Sequence, residues 1–147
     1  MPILVSPLKR TRETARPLEA AWDVAGEVEP RVGELPSPPD LRDAADDGQA
    51  LAARNGWLRD ILRRTWDDVD DWMRSWRDDL LGVLGSRETD TVVVTHYVAI
   101  NVAVGHATAA DRVISFAPDY CSDTELELTP GGIRVMRLGR EGQTRVR

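Results

Sequence analysis

The chain contains two histidines, which differ in their position relative to the predicted elements. The run from Thr91 to Thr95 predicts a buried strand, and His96 follows it directly. The next apolar run, Val98 to Val104, predicts a helix that ends at Gly105. A histidine at a strand end can transfer protons near neutral pH, although a structural histidine or a helix cap has the same pattern. His106 comes after the predicted helix, and we interpret it as a surface residue or a C-terminal cap. His96 is therefore the better catalytic candidate.

Arg10 and Arg12 lie in a segment that is suited to binding an anion. Ile3 to Val5 predicts a short buried strand and Leu8 to about Trp22 predicts a helix, so Ser6 to Arg12 spans the connection and the first helical turn. A helix N-terminus presents free N–H groups and partial positive charge, and arginine adds a planar fork that matches phosphate oxygens. The local pattern alone favours the alternative, in which both arginines are solvated residues of the first turn.

Glu34 lies in a stiff, proline-rich loop that runs from Pro30 to Pro39 and contains four prolines and one glycine. A long loop in a compact domain is often functional, and a carboxylate that such a loop holds could protonate a leaving oxygen. An exposed loop glutamate without a special role is much commoner. Glu34 is thus a candidate general acid whose role depends on where the loop lies.

Strands that alternate with helices predict an α/β fold with three αβα layers and a mostly parallel sheet. Further strands are expected at Val113 to Phe116 and in a C-terminal β-hairpin, in which 125–128 and 133–138 flank Pro130-Gly131-Gly132. In such sheets, ligands bind beyond the carboxyl ends of the strands. Ser6 to Arg12 and the pair His96 and Tyr97 lie there, so Tyr97 joins Arg10 as a candidate phosphate ligand.

Helical spacing of apolar residues predicts one longer amphipathic helix before the strand that precedes His96. Asp67 or Asp68 could cap its N-terminus, and Gly85 is a natural end for it. The pairs Asp46-Asp47, Asp67-Asp68, Asp70-Asp71 and Asp78-Asp79 share no ligand-loop spacing. We interpret them as solvated surface and predict no metal site.

Composition excludes several classes of function. The 147 residues fit a single domain spanning 1–147, and the net charge of -6 disfavours binding to nucleic acid. No apolar run is long enough to span a membrane, and the chain starts without a recognisable signal peptide. With Cys121 as the only cysteine, the expected location is the cytoplasm.

Together, the segments resemble those of the histidine phosphatase superfamily, whose fold is phosphoglycerate mutase-like. Ser6 to Ala15 resembles the family's Ser-Pro-Leu-x-Arg-x-x-x-Thr-Ala segment, and Val94 to Ile100 resembles its second histidine motif. Ala117 to Ser122 resembles a late Pro-Asp-Asn-x-Ser segment, with Tyr120 where asparagine is usual. The loop with Glu34 is similar to the one that supplies the family's acid, without its usual Leu-x-Glu-x-x-x-Gly form. The resemblance covers about residues 2 to 129.

The resemblance implies roles for individual residues and also an incomplete site. Arg10 would bind phosphate, His96 would stabilise the transition state, and Glu34 would donate a proton to the leaving group of a small phosphorylated substrate. No cofactor is implied. The family's nucleophilic histidine lies in an Arg-His-Gly motif at the end of its first strand, and that motif does not occur in this sequence. We therefore expect a chain that is truncated at its N-terminus, lacks the first strand, and is nearly inactive because the covalent step has no other obvious attacker.

Three functional interpretations remain open, in descending order of preference. The first is a phosphohydrolase by lineage that is truncated or begins at a wrongly assigned start. The second is a non-catalytic remnant that binds phosphorylated ligands through Arg10 and His96. The third is an interaction module, such as a homodimer that covers an exposed sheet edge, because unpaired edge strands invite pairing with another chain.

Overall fold

A central parallel sheet brings together three short strands that are distant in the sequence. The computed structural model describes residues 1–42 and 48–142, so the Asp46-Asp47 pair lies outside the described residues. Strand β1 is Ile3–Val5, β2 is Glu27–Val28 and β3 is Val92–Val94, in the order β2-β1-β3. In the parallel register, Val5 is opposite Val28 on one side and Val94 on the other. The carboxyl ends of all three strands therefore meet at one edge of the sheet.

Helices connect and cover the strands, and an antiparallel hairpin follows them. The helices are α1 (Lys9–Trp22), α2 (Pro39–Arg42), α3 (Gly48–Ile61), α4 (Asp71–Gly85) and α5 (Tyr97–Ala107). Among the described residues, two 3-10 turns occur, at Pro30–Val32 and Trp66–Asp68. The hairpin pairs β4 (Glu125–Thr129) with β5 (Gly132–Arg137), as the sequence predicted. No helix within 1–42 and 48–142 is both long and apolar enough to cross a membrane.

The two faces of the sheet are buried by different helices. Because successive side chains of a strand point to opposite faces, Ile3 and Val5 share one face while Leu4 occupies the other. Ile3 and Val5 pack against Ala15 of α1. Leu4 belongs to the larger cluster, which includes Met73 of α4 and further residues of α3 and α5. The sheet is thus covered on both sides, which confirms the predicted αβα architecture.

The strand predicted at Val113 to Phe116 is wrong, because this segment is held by a side chain instead of a neighbouring strand. Asn101 of α5 is fully buried, and its Oδ1 accepts hydrogen bonds from the backbone N–H groups of Ser115 at 2.9 Å and Phe116 at 3.1 Å. The N–H of Val113 donates to the carbonyl of Arg64 at 3.0 Å. The apolar run is therefore buried, but in an irregular segment that crosses α5.

Two helix ends also differ from the sequence prediction. Helix α4 begins at Asp71 with Asp70 as its N-cap, because Asp67 and Asp68 belong to the preceding 3-10 turn. It ends at Gly85 as predicted. Helix α5 continues through Gly105 to Ala107, so His106 lies in its last turn instead of beyond it.

Candidate phosphate site

The carboxyl ends of β1 and β3 place a serine and a histidine side by side. Ser6 follows β1, and its N–H donates to the carbonyl of Val94 at 3.0 Å, which extends the parallel ladder by one bond. His96 follows β3 two residues after Val94. As a result, His96 Nε2 lies 2.6 Å from Ser6 Oγ although the two residues are 90 positions apart. Both side chains are buried, with Ser6 at 0% and His96 at 6% exposure.

Arg10 approaches the same histidine from the first turn of α1. Its Nη2 lies 3.0 Å from His96 Nδ1. The first turn is fastened to the end of β1 by Thr11, whose buried hydroxyl lies 3.1 Å from the carbonyl oxygen of Ser6 and 2.7 Å from that of Leu8. Arg10 itself is exposed, so the remaining guanidinium donors face solvent above a buried Ser6–His96 pair. That arrangement leaves a cation open to an incoming anion.

The contact with Arg10 determines which nitrogen of His96 carries the proton. A guanidinium can only donate, so Nδ1 must accept and the proton of the neutral ring resides on Nε2. Nε2–H therefore donates to Ser6 Oγ. Burial, together with the positive charge of Arg10, lowers the pKa of His96 to about 4, so the ring is neutral at pH 7. In this state His96 is a hydrogen-bond donor to Ser6 and does not act as its base.

Glu34 lies at the N-terminus of α5, next to the same strand end. Its carboxylate accepts from the N–H of Leu35 at 3.0 Å and from the N–H of Val98 at 3.2 Å and 3.3 Å. The loop is tied to the end of β3 by Thr95, whose hydroxyl donates to the carbonyl of Val32 at 2.5 Å. These contacts make Glu34 a cap for α5 as well as a member of the cluster.

The environment of Glu34 raises the pKa of its carboxyl above the ordinary value. Burial raises the pKa of this carboxyl, and the backbone N–H groups of Leu35, Val98 and Ala99, together with the charge of Arg10, only partly oppose the rise. A carboxyl with a raised pKa holds a proton closer to neutral pH, which is a property of general acids. The influence of Arg10 on both Glu34 and His96 indicates that the three groups share one electrostatic environment.

Tyr97 adjoins the cluster along the chain but has a different neighbourhood. It is the first residue of α5, half-buried, and packs against the larger core cluster. Burial and the negative charge of Glu141 raise the pKa of its phenol. Among the described residues, no hydrogen bond joins its hydroxyl to Arg10, His96 or Glu34.

Other features of the described residues lie outside this cluster. Within 1–42 and 48–142, no group of three or more His, Cys, Asp or Glu side chains is arranged to hold a metal ion. A cavity of about 240 Å³ lies between the end of α4, the end of α5 and the hairpin, and His106 and Ile133 are among its lining residues. It contains none of the candidate residues. His106 is therefore spatially separate from the His96 cluster.

Sequence reasoning missed the roles of Ser6 and Thr95 in this cluster. Ser6 lay within the segment proposed to bind an anion, and Thr95 ended the predicted strand, but neither was singled out. A hydroxyl residue directly after a buried strand was the available signal in both cases. The pairing of Ser6 with His96 and of Thr95 with Val32 has no local signal, because each partner is more than 60 positions away.

The model of the histidine phosphatase superfamily (branch 1) matches residues 2–141, which is nearly the whole chain. The chain belongs to the histidine phosphatase superfamily. A search of the curated proteins finds no significant match. Membership in the histidine phosphatase superfamily agrees with the α/β architecture, the parallel sheet and the C-terminal hairpin described above.

Proposed function

We propose that this histidine phosphatase domain binds the phosphate group of a small phosphomonoester at the carboxyl ends of β1 and β3. Arg10 would hold the phosphate oxygens, with Tyr97 as a second contact. His96 would redirect its single N–H, on Nε2, from Ser6 Oγ to the phosphoryl group, and Glu34 would protonate the leaving oxygen. The observation that carries the proposal is the 3.0 Å contact between Arg10 and His96, which joins a solvent-facing cation to a buried neutral donor.

Hydrolysis by this lineage would proceed through a phosphohistidine, which requires a nitrogen lone pair directed at phosphorus. In His96 the available lone pair is on Nδ1, and Arg10 occupies it. Nε2 carries the proton and contacts Ser6. The only other histidine, His106, lies in the last turn of α5. We therefore expect the 147-residue chain to bind phosphomonoesters while hydrolysing them at close to the background rate.

A non-catalytic role in binding phosphorylated ligands is the second candidate, and the engaged state of both His96 nitrogens favours it. In this alternative, the same residues hold the phosphate and nothing breaks the ester bond. If a nucleophile were supplied, the first candidate would hydrolyse the ester and the second would not, whereas both would bind phosphate. Binding is consequently the property to test first.

Calorimetric titration with inorganic phosphate and with vanadate tests the binding site. Replacing Arg10 by alanine removes a charge-assisted donor, and we expect affinity to fall about tenfold. Arg59→Gln, an exposed arginine on α3, is the control for a general charge effect and should bind like the parent chain. Unchanged affinity in Arg10→Ala would remove Arg10 from the site.

Assays of aryl phosphate hydrolysis on the same samples test whether the parent chain is inactive. We expect rates near background for the parent chain, with little change in His96→Ala. Robust turnover in the parent chain would contradict the expected inactivity, and its loss in His96→Ala would show that the turnover depends on His96.

A further inference from the structure

Both ring nitrogens of His96 already have a partner within the protein. Nδ1 lies 3.0 Å from Arg10 Nη2, and Nε2 lies 2.6 Å from Ser6 Oγ. A neutral imidazole has one N–H and one lone pair, so the ring has no further group to offer a ligand. A phosphate oxygen is an acceptor and can be bound only by the N–H. His96 can therefore contact phosphate only after its Nε2–H has left Ser6.

Ser6 is fixed in place, because its backbone is held on both sides. Its N–H donates to the carbonyl of Val94 at 3.0 Å, and its carbonyl accepts from the hydroxyl of Thr11 at 3.1 Å. Ser6 is fully buried, whereas His96 keeps 6% of its surface exposed. A ligand that enters from solvent therefore reaches His96 and leaves Ser6 where it is.

The hydroxyl of Ser6 matters more to the ligand-free state than to the phosphate-bound state. Without ligand, Ser6 Oγ is the only acceptor that the described residues provide for Nε2–H of His96. A buried donor that has no acceptor carries a penalty in free energy. When the N–H moves to a phosphate oxygen, Ser6 Oγ still accepts from the N–H of Leu8 at 3.4 Å. Ser6 thus stabilises the state that phosphate must displace.

We propose that Ser6 is a positioning residue that competes with phosphate for the N–H of His96 and thereby lowers the phosphate affinity of the site. In the ligand-free protein, it holds the imidazole with Nε2–H directed at its hydroxyl. Phosphate binding exchanges that hydrogen bond for one to a phosphoryl oxygen. The inference rests on the proposed function, because it concerns the same bound phosphate. Loss of a competing contact tightens binding, whereas loss of a merely structural contact does not.

Calorimetric titration with inorganic phosphate tests this competition in Ser6→Ala. We expect the variant to bind phosphate about fivefold more tightly than the parent chain, since its ligand-free state leaves Nε2–H without an acceptor. Ser6→Cys keeps a weaker acceptor and should show a smaller gain, and it carries the test if Ser6→Ala does not fold. Ser86→Ala is the matched control. It removes a hydroxyl that donates to the carbonyl of Val83 at 2.9 Å at the end of α4, and it should bind phosphate like the parent chain.

Thermal unfolding measures the same coupling in a second way. Without ligand, Ser6→Ala should unfold at a lower temperature than the parent chain. Saturating phosphate should reduce this difference, because a ligand that binds the folded variant more tightly stabilises it more. For Ser86→Ala, phosphate should leave the difference from the parent chain unchanged.

The outcomes separate the role of Ser6 from the phosphate site itself. Equal or lower phosphate affinity in Ser6→Ala, or in Ser6→Cys where Ser6→Ala does not fold, would overturn the competition and leave the phosphate site standing. An equal gain of affinity in Ser86→Ala would also overturn it. A parent chain that does not bind phosphate would overturn the proposed function, and the role of Ser6 with it.

Discussion

Arg10 sets the position of the proton on His96, and burial together with Arg10 keeps the ring neutral. Its guanidinium occupies Nδ1, so the neutral ring donates from Nε2, and its positive charge adds to burial in disfavouring a second proton. The sequence identified both residues as candidates because each follows a predicted strand. It could not reveal their contact, because the two residues are 86 positions apart and local sequence does not determine the register that aligns β1 with β3.

The titration of His96 should respond to Arg10. By NMR, we expect a His96 pKa of about 4 in the parent chain, and a higher pKa in Arg10→Gln because one of the two causes of the depression is gone. The chain has only two histidines, so a His106→Gln variant assigns the resonances. Burial still acts in Arg10→Gln, and its pKa should therefore stay below 6.5. An identical titration with and without Arg10 would refute the contact.

Among the secondary-structure elements, the sequence predicted those that a buried apolar run is enough to specify. The strands β1 and β3 are short apolar runs followed by polar residues, and the hairpin alternates around Pro130-Gly131, so these elements were found. Val113 to Phe116 has a similar local pattern but forms no strand. Its backbone partners are the side chain of Asn101 and the carbonyl of Arg64, and neither can be inferred from the run itself.

The same limit applies to the loop with Glu34. Its prolines predicted a stiff, irregular segment, and that expectation agrees with the short 3-10 turn at Pro30–Val32 and the extended residues after it. The use of Glu34 as a cap for α5, 64 positions later, depends on tertiary packing. Local sequence therefore indicated the candidate acid, whereas its position at the N-terminus of α5 emerges only from the fold.

Asn101 should be essential for the stability of this irregular connection. Replacing it by alanine leaves the N–H groups of Ser115 and Phe116 without their acceptor, and we expect the free energy of unfolding to fall by about 2 kcal/mol or more. Urea denaturation measures the change. Ser115→Ala is the matched control, since it removes only a hydroxyl 3.5 Å from Asn101 and should cost less than about 0.5 kcal/mol. Equal losses in both variants would contradict the bridging role.

At the scale of the whole molecule, the sheet has an edge that the described residues leave open. Within 1–42 and 48–142, β3 pairs with β1 and with no other strand. The N–H of Val92 donates to Pro2 and the carbonyl of Val94 accepts from Ser6, so the backbones of both residues face β1. In a parallel ladder the intervening residue faces the opposite way, which directs the N–H and carbonyl of Val93 towards the open edge. The three valines of β3 are also only half-buried, unlike the fully buried residues of β1.

An open, apolar edge of this kind favours pairing with another strand, and a second copy of the chain is the partner that we expect. Light scattering should show a mass that rises with concentration towards that of a dimer. Val93→Pro removes the outward N–H without touching the bonds to β1, and should shift the equilibrium to monomer. Val93→Ala is the control: it loses a similar part of the side chain but keeps the N–H, so it should still associate. A parent chain that stays monomeric at high concentration would exclude the dimer, and equal association of the two variants would show that the contact lies elsewhere.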